Sequence, residues 1–128
     1  MLPFSLMDHL VWNISGEEEY RRPNIKTITD FEDALERGLE KLLVFVFTAR
    51  WCGPCRVISP KVQDIIKENP DVVFYQINVD DNIATSQACG ITCVPTFQFF
   101  RRCTKIEEFS GANEQKIRDF LAKHKKSS

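Results

Sequence analysis

Nowhere in the 128 residues is there an apolar run of the roughly 18 needed to cross a bilayer as a helix. Internal repeats, low-complexity tracts and nucleotide-binding motifs are missing too, which sets aside solenoids and a resident nucleotide. Charge of one sign is lacking. Seventeen Lys and Arg against eighteen Asp and Glu give a net charge of −1, so no broad electrostatic attraction draws the chain to nucleic acid or to an anionic membrane surface. Cysteine is too sparse for a disulfide-stapled secreted miniprotein. Yet there are five cysteines, and an odd number cannot all pair within the chain. What remains is ordinary: 43% hydrophobic and 27% charged residues, a globular composition unlike disorder, collagen or coiled coil. A chain this long makes about one domain and buries roughly two thirds of its extended surface.

Residues 1–22 read differently from the rest. MLPFSLMDHLVW is apolar in patches, but it has no basic residue ahead of the apolar stretch and is broken by Asp8 and His9, a poor signal peptide. ISGEEEYRRP follows as a polar, acidic linker. We therefore expect residues 1–22 to be an extension, flexible or a short docking helix, and residues 23–128 to be the domain. Within that domain Asn24 to Thr29 reads as a short strand, and Asp30 as the N-cap of a helix closing near Gly38. LLVFVFT, residues 42–48, is a continuous apolar run, as in a strand covered on both faces. A helix striped by Ile58, Val62, Ile65 and Ile66 comes next, stopped at Asn69-Pro70. VVFYQINV is a second buried strand, and Asp81 or Asn82 opens a short helix ending near Gly90. Thr96–Arg101 and Lys105–Phe109 form a hairpin, and Asn113 caps a last helix buried through Ile117, Phe120 and Leu121. The alternation predicts an α/β domain, a mixed sheet with helices on both faces.

Trp51-Cys52-Gly53-Pro54-Cys55 lies where a strand gives way to a helix. Two cysteines at this spacing can close a small disulfide ring. Pro54 suits the first helical turn, where its missing N–H costs nothing. Cys52 would sit at the positive end of the helix, among unpaired backbone N–H groups that stabilise a thiolate, which makes it the expected nucleophile. Cys55, one turn inward, would be shielded and act second. Trp51 offers apolar surface beside them. Zinc is the competing reading, with Cys89 and Cys93 as the other half of a site. Against it, Gly-Pro suits a helix start better than a zinc-ribbon turn, and no histidine lies nearby.

Residues 24–124 resemble the thioredoxins, specifically those of the animal cytosol. The matching segments are Trp51-Cys-Gly-Pro-Cys55, Val79-Asp-Asp81, Val94-Pro-Thr-Phe-Gln-Phe-Phe100 and Phe109-Ser-Gly-Ala-Asn113. The resemblance implies the thioredoxin fold, a mixed five-stranded sheet flanked by four helices. It implies reduction of protein disulfides through a redox-active Cys52–Cys55 pair, with no cofactor bound and electrons coming from NADPH through a thioredoxin reductase. It further implies that Pro95 is cis and packs against the active-site disulfide, and that the Val94 backbone pairs with an extended substrate segment. Disulfide-containing proteins and the reductase are then the partners. A monomer is expected, with a dimer on oxidation through Cys93, a position associated with regulatory oxidation in animal members. The unpaired cysteines place it in the cytoplasm or nucleus, ahead of mitochondrion or secretion. A thioredoxin-like interaction module with weak or specialised turnover is the alternative function.

Two positions depart from the family. Members usually hold a buried aspartate six residues before the first cysteine, thought to take the proton of the second; here it is Val46. Ser59 stands where animal members usually carry lysine. The expectation is a slower or alkaline-shifted reductase, with oxidase or isomerase directions left open. Cys89 reads as a small buried residue and Cys103 as an exposed turn thiol. Asp80 and Asp81 read as solvated or capping carboxylates.

Overall fold

A computed structural model describes residues 25–125; the expected extension lies outside them. Helix α1 spans Ile28–Arg37 and strand β1 Leu42–Thr48, followed by α2 at Gly53–Glu68 and β2 at Val72–Asn78. Then come α3 at Ile83–Ala88, β3 at Thr96–Arg101, β4 at Thr104–Ser110 and α4 at Glu114–Lys125. The sheet order is β2-β1-β3-β4, with β1 parallel to β2 and antiparallel to β3, and β3 antiparallel to β4. This mixed sheet with four helices is the expected architecture, with four strands among the described residues rather than five.

The strand expected at Asn24–Thr29 is not formed over its described part. Thr27 caps α1 instead: its Oγ1 accepts the Asp30 N–H at 3.0 Å, and Asp30 Oδ2 accepts the Thr27 N–H at 3.1 Å. That reciprocal box fixes the helix start three residues before the expected cap and places Asp30 inside the first turn. Ile25 keeps one strand-like contact, donating its N–H to the Gln76 carbonyl at 3.4 Å.

β1 alternates its side chains between two cores. Leu42, Val44 and Val46 pack with Ile58, Val62 and Ile65 of α2 and Ile117 and Leu121 of α4. Leu43, Phe45 and Phe47 face the other way, toward Phe31 and Ala34 of α1. Because both faces are covered, the strand carries no polar residue before Thr48. Gln98 is a buried polar residue at the middle of β3, and its Nε2 donates to the Cys89 carbonyl and to Glu108, tying the end of α3 to the sheet.

The β3–β4 hairpin turns through two residues, Arg102 and Cys103, with φ of 52° and 64°. Left-handed φ at both positions is the turn that suits the sheet's twist and favours Asn-Gly. An L side chain there costs about 1–2 kcal/mol. Cys103→Gly is therefore expected to raise stability by about 1 kcal/mol, read as a higher denaturant midpoint at unchanged slope.

Candidate active site

Strand β1 ends and helix α2 begins within five residues, and that junction holds the redox pair. Cys52 is the N-cap of α2, in extended conformation, with Gly53 and Pro54 completing the first turn. Its carbonyl already accepts the Arg56 N–H at 3.3 Å. The two sulfurs are bonded, and the Cα atoms lie 5.3 Å apart. The Cys55 N–H points at Cys52 Sγ at 3.1 Å. This aims a donor and the positive end of the helix at one sulfur of the two, the arrangement that favours charge on Cys52 once the bond is reduced. Exposure does not separate the cysteines as the sequence suggests: Cys52 is 3% and Cys55 5% exposed, because both sink into a small apolar cluster with Ala49.

Around the pair the surface is open. Trp51 is 67% exposed, and its Nε1–H donates to Asp80 Oδ2 at 2.9 Å. Arg50 bridges to Asp81 at 2.8 Å, and Arg56 donates to the Arg50 carbonyl at 2.8 Å. Asp80 and Asp81, read from the sequence as solvated or capping, thus hold the residues beside the disulfide. The signal was the Val79-Asp-Asp81 segment itself; the partner 29 residues away was not readable. On the facing loop the Val94–Pro95 bond is cis. Val94 packs with Val79 against the cysteine cluster, while Pro95 is buried and its carbonyl accepts the Gly111 N–H at 2.8 Å. Gly111 has φ of 106°, where an L side chain would be strained.

The remaining cysteines are free. Cys93 is exposed beside Val94, and hydrogen bonding to the Ser110 hydroxyl, with lesser help from Thr96 and Thr92, lowers its thiol below the usual value. Cys89 is half-buried, and desolvation pushes it from 9.0 to about 11. Cys103 is exposed at the hairpin tip, its S–H 3.8 Å from the Leu35 carbonyl. At pH 8 a thiol of pKa near 11 is about 10⁻³ thiolate, so haloacetamide alkylation of Cys93 is expected to outrun Cys89 by at least about 10²-fold. Cys89 labelling then keeps rising with pH toward 11, which peptide mass spectrometry follows.

A shallow hollow of about 260 Å³ opens behind the pair, lined by Thr48, Ala49, Arg50, Cys55, Arg56, Ser59, Gln76 and Asn78. Val46 is fully buried in the apolar core, its Cα in register with Gln76.

The Thioredoxin family model matches residues 23–123. The chain belongs to the thioredoxin family. It is 43% identical to a thioredoxin of Geodia cydonium over 102 residues, which cover 79% of this chain and 96% of that protein. It is 42% identical to the thioredoxin of Gallus gallus over 98 residues, 77% of this chain and 93% of that one. The X-ray structure of Fasciola hepatica thioredoxin superposes with a TM-score of 0.77 at 39% identity, covering 79% of this chain and 97% of that one. With its bonded Cys52–Cys55 pair, the chain is a protein-disulfide oxidoreductase that works by dithiol–disulfide exchange.

Proposed function

We propose that the protein runs in the reducing direction, with Cys52 as nucleophile and Cys55 as resolving thiol. The observation that carries this is the helix N-terminus and the Cys55 N–H converging on Cys52 Sγ. Cys52 thiolate attacks a substrate disulfide; one new S–S bond forms, the substrate bond breaks, and its outer sulfur leaves as thiolate. Cys55 loses its proton and attacks Cys52 Sγ, which breaks the mixed disulfide and frees the second substrate sulfur. Two electrons have passed to the substrate, and the pair is again a disulfide. Trp51, Gly53 and Pro54 shape the surface that meets the substrate, and the Val94 backbone beside Pro95 takes an extended substrate segment as an added strand. NADPH, through a thioredoxin reductase, restores the dithiol. Cys93, exposed with its thiol lowered, is the regulatory thiol and the contact of an oxidised dimer. The free thiols fit the cytoplasm.

The test is insulin reduction with dithiothreitol, and with NADPH and a thioredoxin reductase. Cys52→Ser is expected to abolish turnover. Cys55→Ser is expected to stall as a stable mixed disulfide with its substrate, visible by mass spectrometry. No activity above background with Cys52 free would instead favour an interaction module.

A further inference from the structure

Before Cys55 can attack Cys52 it must shed a proton, and its thiol is packed among groups that do not take one. Ala49, Cys52, Val79 and Val94 surround it on the cluster side. One turn further along α2 is Ile58, packed in the core with Val46 of β1, both buried and apolar. On its remaining side Cys55 lines the hollow, about 260 Å³ in volume. The other lining residues are the hydroxyls of Thr48 and Ser59, the amides of Gln76 and Asn78, two guanidinium groups and Ala49. Among the described residues the lining has no carboxylate and no imidazole. A water occupies about 30 Å³, so the space holds several, with polar residues from β1, α2 and β2 in its lining.

We propose that this hollow is the proton exit of the reaction. Solvent, or a small dissolved base entering from solvent, takes the Cys55 proton there, and Ser59 and Gln76 are positioning residues that keep the space wet. The charged groups favour this. Arg50 and Arg56 line the walls, Asp81 is bound to Arg50 and Asp80 to Trp51, and β2 contributes only neutral amides. Arg56, whose guanidinium is bound to the Arg50 carbonyl rather than to a carboxylate, offers the positive charge that draws anionic bases such as hydrogen phosphate. The step balances: the S–H proton goes to the base, the Cys55 Sγ lone pair forms the bond to Cys52 Sγ, and the substrate sulfur leaves with the electrons of the broken bond. The proposal rests on Cys55 acting as the resolving thiol.

An aromatic disulfide whose released thiolate absorbs visible light separates the two exchanges. In a Cys93→Ser/Cys103→Ser background, equimolar probe should release one equivalent as Cys52 attacks and a second as Cys55 resolves. The second-phase rate is expected to rise with hydrogen phosphate concentration at fixed pH and ionic strength. Ser59→Leu, which fills the hollow, should slow the second phase by about 10²-fold, the lower end of what a general base supplies, and should flatten the phosphate dependence while sparing the first phase. Gln76→Leu repeats this from β2, with circular dichroism as the check of folding. A second phase indifferent to phosphate overturns the proposal, as do leucine variants that keep the parent rate and slope. Release that stops at one equivalent overturns the resolving role of Cys55 itself, and the exit with it.

Discussion

Val46→Asp is expected to speed the second thiol exchange near neutral pH by about 10²-fold while costing about 4 kcal/mol of stability. Val46 is fully buried, packed with Ile58 one turn beyond Cys55, and in register with Gln76. A carboxylate there would lie in apolar surroundings under the start of α2 and would give Cys55 a fixed base in place of a dissolved one. Desolvation raises a fully buried carboxyl by about 3 units or more, each worth about 1.4 kcal/mol. The sign follows from linkage. With the folded value raised above the unfolded one near 3.9, the charge penalty is absent below about pH 4 and grows as pH rises through the folded value. Denaturation at pH 4 and pH 8 should therefore show the variant losing much more stability at the higher pH. In the two-phase probe assay its second phase should become fast and indifferent to phosphate. Equal rates and an equal pH response in the two proteins would mean that position 46 governs neither proton transfer nor the cost of the core.

What could be read from residues alone was set by local chemistry. LLVFVFT is a short run rich in β-branched and aromatic residues, which suits a covered strand, and Gly53-Pro54 between two cysteines suits a helix start better than a zinc-ribbon turn, so β1, α2 and the redox pair were legible together. The first element was misplaced because Thr27 and Asp30 satisfy each other's backbone, a contest between cap and strand that periodicity does not decide. Greater distance hid the rest. Asp80 reaches Trp51 and Asp81 reaches Arg50 across about thirty residues of sequence, so their carboxylates look merely solvated in the sequence. The hollow was illegible for the same reason. Thr48, Ser59, Gln76 and Asn78 come from one helix and the ends of two strands, and none of them stands out in its own segment.

Phe45→Ala, one residue from Val46 on the opposite face of β1, is expected to cost as much stability and leave the chemistry alone. Phe45 is fully buried at the centre of an aromatic group. Its ring stacks on Tyr75 at 5.1 Å, meets Phe100 edge-on at 5.4 Å, and lies tilted against Phe31 at 4.8 Å. Removing it deletes those contacts and leaves a cavity that α1 and the sheet can only partly close. Such truncations cost about 3–5 kcal/mol, a large share of the roughly 5–15 kcal/mol that holds a domain folded. At about 5 °C per kcal/mol for a domain of this size, the melting temperature should fall by about 20 °C. The redox pair sits beyond the end of β1, among neighbours that do not include Phe45. At 15 °C, with the protein still folded, both phases of probe release should therefore match the parent, and the stability loss should be nearly independent of pH between 4 and 8. Adjacent substitutions on one strand would then separate the two cores by their effects: an equally large loss on either face, but a changed proton path only where the side chain points beneath α2. A slowed second phase in Phe45→Ala would show instead that the aromatic core helps set the geometry of the cysteines.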